Sequence, residues 1–247
     1  MKFTVLQYDS LGSTNTEALN QAKRGAGEGV CVVARQQSAG RGRHGRTWIS
    51  DKDAGLYFSV ILRPTIENKF LPLITLMTAV VVYDLLVELF KLKPDIKWAN
   101  DIYINEQKIA GILAEMTETE RGLAIIVGIG INLKSSNFPP DLKEFATSTE
   151  EETWIKANFE RLLESLTGKL EFYYQILQSA NGAEQIRREW ARRSSYYEGK
   201  SVSVKLVNES FRGTTRGIEE NGALRVETET GEIKTVQAGD VEKLRKV

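Results

Sequence analysis

Two apolar runs, Val30 to Gln36 and Leu56 to Leu62, flank the segment QQSAGRGRHGRTW at residues 36–48, which holds three glycines, three arginines and the sole histidine of the chain. A strand, a glycine loop and a second strand predict antiparallel neighbours, with the loop lying over the sheet they share. Gly40, Gly42 and Gly45 lack a Cβ, so the backbone there can take positive φ and bring N–H groups against a ligand. Arg41, Arg43 and Arg46 add planar, permanently charged donors that match phosphate and carboxylate oxygens. The segment is therefore expected to hold an anion. Its spacing Gly40-x-Gly42-x-x-Gly45 formally fits the dinucleotide fingerprint, but that motif needs a helix opening within the glycines and an acidic residue about 20 positions on. Thr47-Trp48-Ile49-Ser50 and the turn-like Asp51-Lys52-Asp53-Ala54-Gly55 follow instead, and no Gly-Lys-Ser/Thr is present to make a Walker A loop.

The remaining elements read in order. Residues 3–8 form a strand, and Thr14-Asn15-Thr16-Glu17 reads as a capping box opening a helix to about Arg24. Leu71 to about Leu89 is a core helix; its most apolar part, Phe70 to Tyr83, is shorter than the roughly 20 residues a membrane span needs. Asp95 to Ala99 is a strand, and Asn100 to Met116 reads as a hairpin turning at Asn105-Glu106-Gln107. Leu123 to Leu133 is a further strand. Leucines and aromatics from Phe159 to Leu177 recur at helical spacing, and a second helix runs from Ala183 to about Arg193. Its arginines 187, 188, 192 and 193 alternate with Glu184 and Glu189, which fits a solvated face better than a nucleic-acid site. From Glu198 on, short alternating strands at Ser201 to Val207, Phe211 to Ile218, Ala223 to Glu227, Ile233 to Val236 and Val241 to Leu244 are separated by turns such as Asn221-Gly222 and Thr230-Gly231.

Lys plus Arg and Asp plus Glu each number 33 in 247 residues, so net charge offers no argument for a nucleic-acid or membrane partner. The single cysteine, Cys31, lies in an apolar run and reads as a small buried hydrophobe, since it has no intrachain partner. No His/Cys metal cluster is present, and His44 reads as a loop residue. No targeting segment opens the sequence, so a cytoplasmic location is expected.

Two further blocks follow the arginine loop: KWANDIYINEQKIAGILAE at 97–115 and VGIGINL at 127–133. Together the three blocks resemble the catalytic domain of biotin protein ligases, and the resemblance extends over nearly the whole chain. Only about a dozen residues precede Ser13-Thr14, which fits the short form without a DNA-binding domain. The implied fold is α+β: a mixed, largely antiparallel sheet flanked by helices at residues 1–196, then a small SH3-like β-barrel at 197–247. The implied reaction activates biotin with ATP to biotinyl-5'-AMP and transfers the biotin to a lysine of the biotin carboxyl carrier protein. Mg²⁺ is expected to bridge the phosphates with few dedicated protein ligands.

The same resemblance assigns residues. Ser13, Thr14 and Gln37 would bind the ureido head of biotin, for which a side-chain amide offers both a donor and an acceptor. Lys108 would sit between the biotin carboxylate and the α-phosphate. There an ammonium relieves the repulsion between the two anions and stabilises charge on the phosphorus oxygens. Gly111, Gly128 and Gly130 would form the wall against the ring and tail. Within the loop carried by Gly40 and Gly42, Arg41 and Arg43 would hold the carboxylate and phosphate, Arg46 the pyrophosphate, and Trp48 the adenine face. Asn100-Asp101 sits at a strand bend, with Asp101 the candidate to orient the acceptor lysine. Asn132 either holds an adjacent loop or touches phosphate, and Arg245 approximates an arginine that reaches the nucleotide. Ala99 stands where proline is usual.

Two alternatives remain at this level. Lipoate or octanoate ligases share the fold, but their acids lack a ureido group and would leave Gln37 and the Ser13-Thr14 hydroxyls unpaired. A non-catalytic biotin sensor is the other, against which Lys108 and the three loop arginines argue. An exposed strand edge makes a homodimer an expectation as well.

Overall fold

The computed structural model describes residues 1–135, 138–206, 208–237 and 239–243. Seven strands make the central sheet: β1 (Thr4–Tyr8), β2 (Val30–Ala34), β3 (Gly55–Leu62), β4 (Asp95–Lys97), β5 (Asp101–Ile104), β6 (Gln107–Thr119) and β7 (Gly122–Asn132). Their order is β1-β2-β3-β7-β6-β5-β4. β1 and β2 pair in parallel and the other neighbours are antiparallel, including β2 and β3 on either side of the arginine loop. The β5–β6 hairpin turns on Asn105 and Glu106, both at positive φ (47° and 68°), as a two-residue turn between right-twisted strands requires. The Trp98–Ala99 peptide bond is cis.

Four helices follow the sequence pattern, α1 (Thr14–Lys23), α2 (Leu73–Phe90), α4 (Phe159–Leu177) and α5 (Gly182–Ala191), and a short α3 (Thr149–Thr153), capped by Ser148, was not read from it. α1 covers one face of the sheet, where Ala18 and Ala22 pack with Val32, Ile61, Ala124 and Ile126. α2 lies on the other face beneath α4 and α5 and is buried almost all round. It is apolar for longer than residues 70–83, because Leu85, Leu86 and Phe90 extend the run, and with the turn before it the helix is long enough to cross a membrane by length and composition. Its burial between sheet and helices accounts for that character.

Five C-terminal strands, β8 (Glu198–Lys205), β9 (Ser210–Ile218), β10 (Leu224–Thr228), β11 (Ile233–Val236) and β12 (Asp240–Lys243), form an antiparallel sheet in the order β11-β10-β9-β8-β12. Val202, Val204, Leu224 and Val226 belong to the same hydrophobic cluster as α2 and the central sheet. The joint is close. Trp98 Nε1 donates to the Gly222 carbonyl at 2.9 Å, and a Cβ on Gly222 would come within 2.7 Å of Leu76.

Two sequence expectations need correction. Thr14 and Glu17 form no capping box: Ser13 is the N-cap and no side chain caps it, while the Thr14 N–H and hydroxyl both donate to Gln37. A polar partner across the chain has displaced the local one. Arg193 does not join a solvated face but turns inward to Asp84 at 2.7 Å and to Glu189 at 2.6 Å, whereas Arg188 and Arg192 do pair on the surface. The apolar stem of a long cation favours such half-buried placement when carboxylates receive its head. The strand ends read at Val207 and Leu244, and Arg245, lie outside the described residues.

Cys31 is fully buried and its thiol is pushed up to about 12 by loss of solvation. The thiolate is the reactive form, so iodoacetamide should leave Cys31 unmodified in the folded protein at pH 8 and alkylate it fully in urea. Mass spectrometry of the two samples checks this; native alkylation at the rate of a free thiol would contradict the burial.

Candidate active site

Register across the central sheet brings the separate sequence blocks together. On the face that carries α1, Tyr57, Gly130, Gly111 and Asp101 line up across β3, β7, β6 and β5, and Ser59, Gly128 and Leu113 form the next row. Side chains alternate along a strand, so Gly111, Leu113 and Glu115 share this face of β6. Two rows containing three glycines leave a depression, roofed by the arginine loop and closed at one end by α1.

The loop folds back as a hairpin. Trp48 N–H donates to the Gly40 carbonyl (3.0 Å), Gly42 N–H to Arg46 O (2.6 Å), and a short 3-10 turn at Arg43–Gly45 forms its tip. Positive φ occurs at His44 (54°) and Gly45 (74°), not at Gly40 or Gly42. Gly40 is required for space instead: a Cβ there would lie 2.2 Å from Trp48 O and 2.7 Å from Ser50 Oγ. The backbone of Arg46 helps to close the hairpin, and its N–H bonds Arg43 O at 3.1 Å.

At one end of the depression lies a polar pocket. Gln37 Oε1 accepts from Thr14 N (2.8 Å) and Thr14 Oγ1 (3.1 Å), and Gln37 Nε2 donates to Ser50 Oγ (2.7 Å). Ser13, Thr14 and Asn15 are all buried there. At the other end is a charged cluster. Lys108 Nζ stands 2.7 Å from Asp101 Oδ1 and over the Trp48 ring at 5.3 Å, and Arg43 Nη1 donates to Asn100 Oδ1 at 2.7 Å. Asn100 Nδ2 in turn donates to Ile112 O (3.1 Å) and Asp101 Oδ1 (3.0 Å). This fixes the Asn-Asp bend as a clamp between cations. The chemistry such a site can perform runs between a neutral polar head group and an anion, joined by an apolar channel along the glycines.

Several side chains make contacts that sequence does not announce. Trp48 lies against the glycines: a Cβ on Gly130 would meet its ring at 2.5 Å and one on Gly111 at 3.1 Å. The indole is the largest apolar group on the loop, and the glycine rows are the surface it can cover. Gly128 leaves room for Asn15, whose Oδ1 would be 2.1 Å from an added Cβ. Arg41 pairs with Glu115. Asn132 holds a loop, donating to Thr147 O (3.0 Å) and Lys108 O (3.4 Å) where the chain at Phe145–Thr147 bonds the Lys108 backbone. Asn15, Ser59 and Glu115 were not singled out from sequence. Ser59 is a lone hydroxyl in an apolar strand, and Glu115 lies four residues from Gly111 on the same strand face, so both were open to a period-two reading. Among the described residues no group of three or more His, Cys, Asp and Glu side chains could hold a metal.

A second cleft adjoins the first, sharing Arg43, Asn100 and Ile112 with it and extending past Trp98 to Asn221, Gly222 and Gln237 of the C-terminal sheet. Comparison with known proteins agrees with this layout. Residues 9–132 match the Biotin/lipoate A/B protein ligase family, and residues 198–244 match the Biotin protein ligase C terminal domain. The bifunctional ligase/repressor BirA of Bacillus subtilis is 36% identical over 243 residues, covering 96% of this chain and 73% of that protein. The biotin–[acetyl-CoA-carboxylase] ligase of Mycobacterium tuberculosis is 31% identical over 240 residues, covering 95% of this chain and 86% of the relative. The biotin protein ligase from Aquifex aeolicus in complex with biotin and ATP superposes with a TM-score of 0.83 at 28% identity, over 98% of this chain and 99% of that one. By sequence, by fold and by the two domains matched, the chain belongs to the biotin protein ligase family.

Proposed function

We propose that the chain activates biotin with ATP to biotinyl-5'-AMP, releasing pyrophosphate, and transfers the biotin to a specific lysine of a biotin carboxyl carrier protein. One observation carries this reading: a half-buried amide-and-hydroxyl pocket, Gln37 with Thr14, lies on the same sheet face as the Lys108–Asp101 and Arg43–Asn100 pairs, with the glycine rows between. The ureido head occupies the first, the ring and tail cover the glycines once Trp48 yields, and the carboxylate meets ATP at the second. A carboxylate oxygen then attacks the α-phosphorus, and the bond to the β-phosphate oxygen breaks. Lys108, held by Asp101, and Arg43 carry the added negative charge. Arg41 and Arg46 supply the remaining cationic donors of the loop, with Arg46 on the pyrophosphate. Mg²⁺ enters with ATP as part of the substrate, and the adjoining cleft receives the phosphates beside Asn100.

In the second step the acceptor amine, deprotonated and oriented by Asp101, attacks the acyl carbon and AMP departs. The carrier has a geometric way in. β6 pairs with β5 only up to Gly111, so from Ala114 to Met116 no strand among the described residues pairs its outer edge, and Met116 is exposed. An edge of this kind accepts another strand, from the carrier or from a second copy in a homodimer. We divide the chain into a catalytic part at 1–196 and a C-terminal part at 197–247, working in the cytoplasm, where ATP and the carrier are at hand.

Pyrophosphate release from ATP·Mg²⁺ should require biotin and should remain at least about 10⁴-fold slower with lipoate or octanoate, which leave the Gln37 and Thr14 groups unpaired. Equal release with lipoate would refute the assignment of the head-group pocket, and silence with every acid despite biotin binding would make the protein a sensor.

A further inference from the structure

The hydrogen bonds of the head-group pocket continue beyond the groups that face a ligand. Asn15 is 4% exposed, and its Nδ2 donates to Leu113 O (3.1 Å) and Glu115 Oε2 (2.9 Å). The same Oε2 receives Arg41 Nη2. Asn15 Oδ1 stands 2.6 Å from Ser59 Oγ, which is also 2.8 Å from Thr14 Oγ1, so the one Ser59 proton serves either acceptor. Thr14 donates to Gln37, Gln37 to Ser50, and Ser50 Oγ to Trp48 O at 3.0 Å. The path thus leaves the arginine loop at Arg41 and returns to it at Trp48, passing through Asn15, Thr14 and Gln37 of the head-group pocket on the way.

We propose that Glu115 is a positioning residue: by holding Arg41 and Asn15 on one carboxylate oxygen, it couples occupancy of the head-group pocket to closure of the arginine loop over the acyl-adenylate. The inference rests on the ligase reading above. Glu115 touches no reacting atom; it acts through Arg41. A head group that orders Asn15, Ser59 and Thr14 also fixes the carboxylate that Arg41 must find, and a closed loop returns the same advantage to the head group, since coupling between two sites is reciprocal. Glutamine at this position would keep an acceptor for Asn15 but lose the charge that draws Arg41. The pair is partly exposed, with 40% of Arg41 and 28% of Glu115 accessible, so the loss is graded rather than total.

The test is pyrophosphate release with biotin and ATP·Mg²⁺ in the absence of carrier. A tightly held adenylate stops turnover after one equivalent, and continued release measures its escape. Glu115→Gln should keep the first equivalent and raise the subsequent steady rate by roughly tenfold, the scale of one charge-assisted hydrogen bond. Arg41→Gln also removes a cationic donor from the reacting groups and so slows the first turnover, but its subsequent leak should rise by the same factor, and the double variant should leak no faster than either single one. A structural role for Glu115 would instead shrink the first equivalent and leave the steady rate unchanged. That result, or additive effects in the double variant, would overturn the inference. Wild-type protein that releases no pyrophosphate with biotin would overturn the ligase reading and the inference together.

Discussion

Lys108→Ala should lower biotin-dependent pyrophosphate release by about 10²–10³-fold while leaving biotin binding within a few-fold of wild type, the size expected for one preorganised donor aimed at developing charge. The ammonium is 2.7 Å from Asp101, whose side chain is 19% exposed and still accepts from Asn100 Nδ2, so removal of the ammonium leaves a partly solvated, hydrogen-bonded carboxylate and the fold is retained. Head-group recognition lies at Thr14 and Gln37, at the other end of the glycine rows, and does not depend on it. Lys108→Arg should not restore the rate. The lysine lies folded against Gly111, where a Cβ would already be 3.1 Å from its Cε, and a planar guanidinium does not fit the same turn of chain. Stopped-flow pyrophosphate detection beside calorimetric biotin titration separates the two effects. A variant with normal release would remove Lys108 from the reaction.

Gly128→Ala should abolish high-affinity biotin binding, raising Kd at least about 100-fold, and should lower stability by about 2–3 kcal/mol. The new methyl carbon would stand 2.1 Å from Asn15 Oδ1 and 2.8 Å from its Cγ. Asn15 cannot step aside without giving up Leu113 O, Glu115 and Ser59, and it is too buried for water to replace them. At Gly130 the obstacle is Trp48, carried on a loop that can shift, so the energetic cost there is smaller. Removing the obstacle tests the cause: Asn15→Ala in the Gly128→Ala background should regain stability in urea titration without regaining biotin affinity. If the double variant is less stable than Gly128→Ala alone, the steric explanation fails.

Much of the scaffold was legible because its patterns are local. The alternation of the β5–β6 hairpin, the apolar run of α2 and the leucine spacing of α4 each specify an element without reference to anything distant. Lys108, Asn100-Asp101 and the glycines of β6 and β7 were legible as blocks, and antiparallel register then placed them in adjacent rows. What could not be read was which side chain meets which across the sheet. Thr14 looked like a cap because Glu17 is three residues on, yet its partner is Gln37, 23 positions away. Gly128 read as pocket wall, but its close neighbour Asn15 comes from an element more than a hundred residues earlier and could not be read. Arg193 went astray for the same reason: a long side chain reaches a surface that only tertiary packing creates.

The burial of α2 bears on how the protein is made. Translation delivers this helix among the first ninety residues, but the elements that cover it, α4 from Phe159, α5 from Gly182 and the turn at Gly222, come much later. A nascent chain that has completed only the central sheet therefore presents a long apolar helix with one side bare, apolar enough by composition to resemble a membrane span. Closure of the shared core waits on the C-terminal sheet, whose Val202, Val204, Leu224 and Val226 join the cluster around α2.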